Sequence, residues 1–242
     1  MRRRFFVSKF DGLTAVMDGE AAHHLGRVLR AQEGQLYELS DGQNVWLARI
    51  DKADRNRVEF ALVEELPARK PVLHVTLLLA VVKFDAFEWA IEKATELGVT
   101  GIVPLAAARS EKGLLAAAEK RAERWRKILL ESSQQSRRVD VPNLAPATKP
   151  EAAFRSIKTG VRLILSELSA ADPMRTVLAQ TSGRANVATM AIGPEGGWTE
   201  AEFAAARASQ FQEASLGRLI LRTETAVTAA LASINYALSV ES

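Results

Sequence analysis

The chain has no cysteine among its 242 residues. It therefore has no thiolate nucleophile, no cysteine-bound zinc and no disulfide. Histidine is nearly absent too. His23, His24 and His74 are the whole set, and no two of them have the H-x-x-x-H spacing of a helical zinc site. We predict no metal, and we expect the reducing cytoplasm as the compartment.

Long apolar runs are missing as well. No stretch approaches the roughly 20 residues of a membrane span, and the apolar run after the basic residues 2–4 is too short for a signal peptide. With 48% hydrophobic and 25% charged residues, the composition is that of a globular protein. A chain of 242 residues suffices for one large or two small domains. We expect no membrane partner.

Positive charge is concentrated in one segment. The net charge of the whole chain is only +3, yet residues 120–138 hold seven lysines and arginines against two glutamates, a local charge of +5. Such a stripe suits the phosphate backbone of a nucleic acid. A solvated helix face has the same composition, and charge alone favours that interpretation.

Residues 1–70 have the pattern of a small β-barrel. Short apolar strands alternate with polar turns, one of which is the hairpin signal Asp41-Gly42. The predicted strands are residues 4–7, 35–40, 45–50 and 58–63, and a helix is predicted over residues 21–30.

A polar linker bracketed by prolines, residues 64–71, separates this region from the rest of the chain. Beyond it, apolar strands alternate with helices, which indicates a parallel α/β sheet. We predict domains over residues 1–70 and 72–242, with Asp85 and Glu88 capping the first helix of the second domain. The predicted strands are residues 72–82, 101–105, 161–165 and 187–192, and the predicted helices are residues 85–98, 114–134 and one opened by Asp172-Pro173.

Two glycine-bearing loops near the end of the chain carry the strongest signal. Residues 191–200 (AIGPEGGWTE) and 215–226 (SLGRLILRTETA) each leave an apolar or small-residue run, pass through glycine and open a helix. Thr199 with Glu202 forms a capping-box pattern, and Thr223 is a candidate N-cap. Neither loop is a P-loop or a Rossmann fingerprint. Paired glycine loops at strand ends predict a ligand site, whereas a single one would indicate a tight turn.

These two stretches resemble the signature of the ribosomal RNA small subunit methyltransferase E family, which belongs to the SPOUT methyltransferases. The resemblance implies a PUA-like RNA-binding β-barrel followed by a trefoil-knotted α/β domain. It also implies S-adenosyl-L-methionine as the cofactor, methylation of N3 of a uridine in 16S rRNA of the small ribosomal subunit, and a homodimer. The absence of cysteine excludes attack at C5 of the uridine through a cysteine adduct.

The same resemblance gives a set of cofactor-binding residues in three stretches of the second domain. Apolar members such as Ile220 and Leu221 are equally compatible with the protein core. The implied residues are Leu165, Ser166, Glu167, Ile192, Gly193, Glu195, Gly196, Gly197, Leu216, Gly217, Ile220, Leu221, Arg222 and Thr225.

RNA-binding residues are implied in the N-terminal motif of residues 23–30 and in two later family motifs. They are His24, Arg27, Arg30, Lys93, Arg137 and Arg138. For Lys93, a salt bridge with Glu92 or Glu96 is an equal alternative. For the arginines the alternative is a solvent-exposed face, and for His24 a satisfied, partly buried ring.

Catalysis of N3 methylation requires alignment of the acceptor nitrogen and removal of its proton, or stabilisation of the charge that spreads onto O2 and O4. Arg137 and Arg138 suit the second role, and Glu195 and Glu224 suit the first. Both glutamates have structural alternatives, because Glu195 can bond loop amides and Glu224 can cap its helix.

Two other functions remain open from the sequence. One is a related SPOUT enzyme that acts on another RNA nucleotide, and the other is a non-catalytic RNA-binding factor for ribosome assembly. The C-terminal helix, residues 225–240, bears an apolar stripe and beside it a stripe of small residues, which we interpret as a homodimer contact. Burial of both stripes within one chain is the alternative.

Overall fold

The computed structural model describes residues 3–23, 25–26, 31–168, 170–180 and 186–238. The chain forms two compact units. The first comprises Met1–Lys70 and Ser133–Val141, and the second comprises Pro71–Ser132 and Pro142–Ser242. The division falls at the predicted linker, but the structure differs from the predicted second domain at Ser133–Val141, which groups with the first unit.

Ser133–Val141 groups with the first unit because its polar atoms are bonded there. Arg4 Nη1 donates to the Arg137 carbonyl oxygen at 2.6 Å, and the Ser40 hydroxyl donates to the Val139 carbonyl oxygen at 2.6 Å. Arg4 and Arg137 both pair with the buried carboxylate of Glu38. The contacts of Arg137 and Val139 join residues 99 to 133 positions apart, so no local sequence pattern predicts them.

The first unit is built on a six-stranded sheet in the order β1-β4-β5-β6-β3-β2. β1 and β4 are parallel, and every other neighbouring pair is antiparallel. Irregularities in the β5–β6 register after Leu47 and Ile50 bend the sheet around a core that includes Phe5, Leu39 and Phe60. The elements are β1 Arg4–Phe6, β2 Phe10–Asp11, β3 Thr14–Asp18, α1 Gly19–His23, β4 Leu36–Ser40, β5 Val45–Ala53 and β6 Arg57–Leu66.

The predicted β-rich character of this unit is confirmed. The β2–β3 hairpin was missed by the sequence patterns because its strands are short and its turn depends on Gly12, at φ +58°. The helix predicted over residues 21–30 overlaps the observed helix α1 only in its first residues, because α1 ends at His23. Residues 24 and 27–30 lie outside the described part of the chain.

The second unit is built on a seven-stranded sheet in the order β11-β13-β10-β12-β7-β8-β9. Every neighbouring pair in it is parallel, as the alternating pattern predicted. Its strands are β7 His74–Ala80, β8 Gly101–Leu105, β9 Asn143–Leu144, β10 Val161–Leu165, β11 Asp172–Pro173, β12 Val187–Ile192 and β13 Gln212–Ser215. The helices that follow β7 onward are α2 Phe84–Glu96, α3 Lys112–Gln135, α4 Pro150–Ser156, α5 Met174–Ala179, α6 Glu200–Ala208 and α7 Thr223–Leu238.

The sheet order gathers the two glycine-bearing loops at one place. β10 lies between β12 and β13, and all three run in the same direction. Their carboxyl ends at Leu165, Ile192 and Ser215 therefore meet at one edge of the sheet, where ligands of open α/β folds bind.

The start of α2 corrects one predicted cap. Lys83 occupies the N-cap position and makes no side-chain capping bond. The carboxylate of Glu88 is buried and binds Arg121 at 3.3 Å and Arg124 at 2.7 Å. Glu88 thus links α3 to α2 instead of capping α2, and the two arginines compensate a carboxylate that would otherwise be buried without a partner.

No helix within the described ranges is both long and apolar enough to cross a membrane. In the same part of the chain, no group of three or more acidic or histidine side chains is arranged to hold a metal ion.

Candidate active site

A cavity of about 360 Å³ opens at the carboxyl ends of β10, β12 and β13. This volume lies within the ordinary range of small-molecule sites. Its walls combine loop backbone with apolar side chains and a few charged groups. The lining residues are Arg109, Leu165, Ser166, Glu167, Leu168, Ile192, Gly193, Pro194, Glu195, Gly197, Trp198, Phe203, Ser215, Leu216, Gly217, Leu219, Ile220, Leu221, Arg222, Thr223 and Ala226.

One wall is the glycine loop, residues 193–199. A different structural feature explains why each of its three positions is occupied by glycine. A Cβ on Gly193 would lie 3.1 Å from the Trp198 ring, and one on Gly196 would lie 3.2 Å from the Arg109 Cβ. Gly197 has φ +71°, a left-handed conformation that disfavours other residues. Two of the three glycines therefore make room for side chains of the protein itself.

Trp198 fastens the glycine loop to the end of β10. Its indole Nε1 donates to the Leu165 carbonyl oxygen at 3.0 Å, and its ring is buried against Phe154 with centroids 6.0 Å apart. Thr199 then caps α6 in the predicted capping box with Glu202, which is confirmed. The C-terminal end of the loop is thus held by contacts that the local sequence partly specifies.

The opposite wall is the second loop, residues 216–222. Gly217 has φ +128°, and among the described residues no atom lies within 4 Å of the place its Cβ would take. Ile220 is 81% exposed, so the interpretation of this residue as core is wrong, and its neighbour Leu219 is 83% exposed. α7 begins at Thr223, whose hydroxyl donates to the Gly193 carbonyl oxygen at 3.4 Å and so links the two loops.

Arg109 is a cavity residue that the sequence patterns missed. It lies four residues beyond the end of β8, and its Nη1 donates to the Gly196 carbonyl oxygen at 2.7 Å and the Trp198 carbonyl oxygen at 3.1 Å. No motif marks it. The only available signal was its position just after a parallel strand, where functional side chains of such sheets collect.

The structure brings together most of the predicted cofactor-binding residues. Gly196 and Thr225 do not belong to the lining set: Gly196 packs on Arg109, and Thr225 is exposed on α7. Of the predicted catalytic glutamates, Glu195 lines the cavity with an exposed side chain. Glu224 lies in the first turn of α7, outside the lining set.

Arg137 and Arg138 are described with the first unit. Arg137 has φ 57° and is paired with Glu38 through both Nε and Nη2. The Arg138 side chain is only 9% exposed and donates to Asp140, and burial lowers the pKa of its guanidinium. His24, Arg27 and Arg30 lie outside the described residues.

Lys93 forms the salt bridges that the sequence left as an alternative. Its Nζ lies 2.8 Å from Glu92 and 2.9 Å from Glu96, and 5.8 Å from the centroid of the Trp89 ring. The hydrogen bonds to the two glutamates raise the lysine pKa.

Part of the basic stripe is likewise paired within the protein. Arg121 and Arg124 bind Glu88, and Arg126 binds Glu123 at 2.6 Å. The arginines of the stripe therefore offer less unpaired charge than the sequence count suggests.

Comparison with known proteins gives the class. A family model for an RNA methyltransferase domain matches residues 68–235, and one for an RNA methyltransferase PUA domain matches residues 17–63. The PUA match confirms the predicted nature of the N-terminal unit.

Individual relatives share one name, ribosomal RNA small subunit methyltransferase E. The protein of Synechocystis sp. is 35% identical over 92% of this chain and 73% of its own length, and that of Bacillus subtilis is 31% identical over 92% and 90%. A crystal structure of the Neisseria gonorrhoeae protein bound to S-adenosyl methionine superimposes with a TM-score of 0.87, at 29% identity over 98% of each chain. The chain belongs to the ribosomal RNA small subunit methyltransferase E family.

Proposed function

We propose that the protein transfers a methyl group from S-adenosyl-L-methionine to N3 of a uridine in the 16S rRNA of the small ribosomal subunit. The observation that carries the proposal is the cavity formed by two glycine-bearing loops at adjacent parallel strand ends. Family membership supports it, and the relative from Neisseria gonorrhoeae binds this cofactor in the same fold. We expect the reaction in the cytoplasm, where the ribosomal subunits are assembled.

The cavity fits a cofactor of this kind. Its volume of about 360 Å³ lies within the range of small-molecule pockets and is sufficient for a ligand the size of a nucleoside. Leu165, Leu216 and Leu221 supply apolar walls, and the bare backbone at Gly217 leaves room for close approach of a ring. When bound, S-adenosyl-L-methionine supplies a methyl group activated by a sulfonium.

The side chains of this chain then have to position the base and manage one proton. Glu195 is exposed at the cavity, so its carboxylate is available to accept the N3 proton of a uridine. Arg222 is exposed at the same cavity, and its guanidinium can balance negative charge on the uridine oxygens. Glu224, in the first turn of α7, is better suited to stabilise the positive end of that helix.

RNA binding is assigned to the PUA-like unit and to the basic stripe. Lys120 lies on an exposed part of α3, and Arg137 and Arg138 stay proposed RNA contacts, with Arg137 held in place by Glu38. We keep His24, Arg27, Arg30 and Lys93 as proposed contacts on the resemblance of their motifs.

We further propose a homodimer through α7. Val227, Ala230, Leu231 and Ile234 are buried against the second unit, while Ala226, Ala229 and Ser233 remain partly exposed. A row of small, partly exposed residues allows another helix to approach closely. A two-fold axis through it would place the same row on both partners.

Nucleoside mass spectrometry tests the activity. The purified protein is incubated with S-adenosyl-L-methionine and small ribosomal subunits that lack the modification, and the rRNA is digested. N3-methyluridine is the expected product. A methylated nucleoside of another kind favours a related RNA methyltransferase, and absence of cofactor binding by calorimetry favours a non-catalytic assembly factor.

A further inference from the structure

Two groups of the loop after β8 form hydrogen bonds with the glycine loop and with helix α6, which follows it. The β8 loop, residues 106–110, contributes both the Ala108 amide and the Arg109 side chain. The Ala108 N–H donates to Glu202 Oε1 at 2.8 Å, while the Arg109 Nη1 donates to the carbonyl oxygens of Gly196 and Trp198 at 2.7 and 3.1 Å. These contacts span about ninety positions of sequence.

Glu202 is the fixed point of this arrangement. Its side chain is 1% exposed, and its Oε2 accepts from both the amide and the hydroxyl of Thr199 at 2.8 Å. One carboxylate thus holds the start of α6 and the β8 loop at once. Arg109 follows Ala108 directly, so the hydrogen bond between Ala108 and Glu202 also fixes the backbone from which the Arg109 side chain reaches the glycine loop.

The contacts of Arg109 determine how two peptide groups of the glycine loop are oriented. Nη1 carries two N–H groups, enough for one bond to each carbonyl oxygen. The carbonyl groups of Gly196 and Trp198 point toward Arg109. The amide of Gly197, which lies between these two residues in the sequence, donates to the Pro194 carbonyl oxygen at 2.8 Å. Bonds from a charged donor to neutral acceptors are among the stronger ones that a loop can make.

The same contact gives a reason for Gly196. A Cβ at that position would lie 3.2 Å from the Arg109 Cβ and 3.4 Å from its Cδ. The arginine stem lies flat against the bare backbone, so the glycine and the arginine form a matched pair.

We propose that Arg109 is a positioning residue: it holds the glycine loop in the shape that a cofactor needs, and it acts through the loop backbone. The part of this inference that concerns a cofactor rests on the proposed function. Without Arg109 the loop samples other conformations. The apparent affinity for the cofactor then falls in proportion to the fraction of molecules whose loop keeps the binding-competent conformation.

The test compares Arg109→Ala and Arg109→Lys with a matched control, Arg162→Ala. Arg162 lies in the same unit and also bonds backbone and side-chain oxygens, those of Ser209 at 3.1 Å and Gln210 at 2.9 Å, but it is not a cavity residue. Amide hydrogen exchange of residues 193–199 is measured without any cofactor, and the affinity for S-adenosyl-L-methionine is measured by calorimetry. The midpoint of thermal unfolding reports whether each variant folds.

We expect Arg109→Ala to exchange faster in residues 193–199 and to bind S-adenosyl-L-methionine at least about ten-fold more weakly, as loss of charged hydrogen bonds implies. Arg109→Lys keeps the charge and one donor group, so it should recover part of both properties. Arg162→Ala should match the wild-type chain in both. The weaker binding of Arg109→Ala should also appear as a higher KM for S-adenosyl-L-methionine.

Exchange and affinity that are unchanged in Arg109→Ala would overturn the inference. A loss of affinity without faster exchange would overturn it too, because Arg109 would then contact the cofactor directly. If the wild-type chain binds no S-adenosyl-L-methionine while exchange still responds to Arg109→Ala, the proposed function fails and the positioning role stands.

Discussion

Gly197 is the residue of the glycine loop with a conformational reason to be glycine. Its φ of +71° costs an L-residue roughly 1–2 kcal/mol, while a Cβ there would lie 3.5 Å from the nearest atom of Glu167, an ordinary contact. A substitution at Gly197 therefore acts through the backbone and not through a steric clash.

We predict that Gly197→Ala lowers the affinity for S-adenosyl-L-methionine by about 5- to 30-fold, the equivalent of that conformational cost. Calorimetry measures it. Gly12→Ala is the matched control: Gly12 has φ +58° with open space around it, but it lies in the β2–β3 turn of the other unit. Equal affinity losses in both variants would show that general destabilisation, and not the loop, is responsible.

Glu38 is a second single residue on which we expect the stability of the protein to depend strongly. Its side chain is 4% exposed, and its single carboxylate pairs with both Arg4 and Arg137. Removing the carboxylate costs more than the pairing itself contributes, since the Arg4 side chain, 8% exposed, would stay buried without a counter-charge.

We predict that Glu38→Gln lowers the free energy of unfolding by about 3 kcal/mol, measured by chemical denaturation. Asp51→Asn serves as the control. It breaks the Arg49–Asp51 pair, whose side chains are about half exposed, and an exposed pair of this kind contributes at most about 1 kcal/mol. A Glu38→Gln variant as stable as the Asp51→Asn variant would contradict the structural role assigned to Glu38.

At the scale of elements, the basic residues of α3 have two roles: some bind helix α2, and others form the proposed contact with RNA. Arg121 and Arg124 secure it to α2 through Glu88, and Arg121 also lies 4.5 Å above the Phe84 ring. Trp125 packs beside them on Phe87, with ring centroids 4.4 Å apart. The RNA-binding face that we propose for α3 is therefore formed by exposed residues such as Lys120.

We predict that Lys120→Glu weakens binding of small-subunit rRNA and reduces the slope of log affinity against log salt by about 1, the loss of one phosphate contact. Lys158→Glu makes the same charge change at an exposed position outside the stripe. Identical slopes for both variants, measured by a salt titration of binding, would mean that α3 acts only as a solvated surface.

At the scale of the whole molecule, the dimer is the central expectation. The double variant Ala229→Arg with Ser233→Arg places two long cations on the small-residue row of α7. It should sediment as a monomer at micromolar concentration and lose methylation. Ala204→Arg, on an exposed position of α6, controls for an added arginine. A wild-type chain that is monomeric at this concentration and fully active would end the proposal.

The sequence by itself determined the local features of this protein. Apolar periodicity gave β8, β10 and β12 at their observed bounds, and the Thr199–Glu202 spacing gave the cap of α6. The resemblance of three short stretches to the family motifs located most of the cavity lining. Such features depend on neighbours within a few positions, so a linear pattern contains them.

Only the tertiary structure decided which distant residues meet. The order of the parallel strands brings Arg109 to Gly196 and Glu202 to Ala108, and long-range bonds place Ser133–Val141 with the first unit. The exposure of Leu219 and Ile220 is also a tertiary result, because an apolar run has the same pattern whether it is covered or not. Contacts across about ninety positions follow from strand order and helix packing, which no local window of sequence specifies.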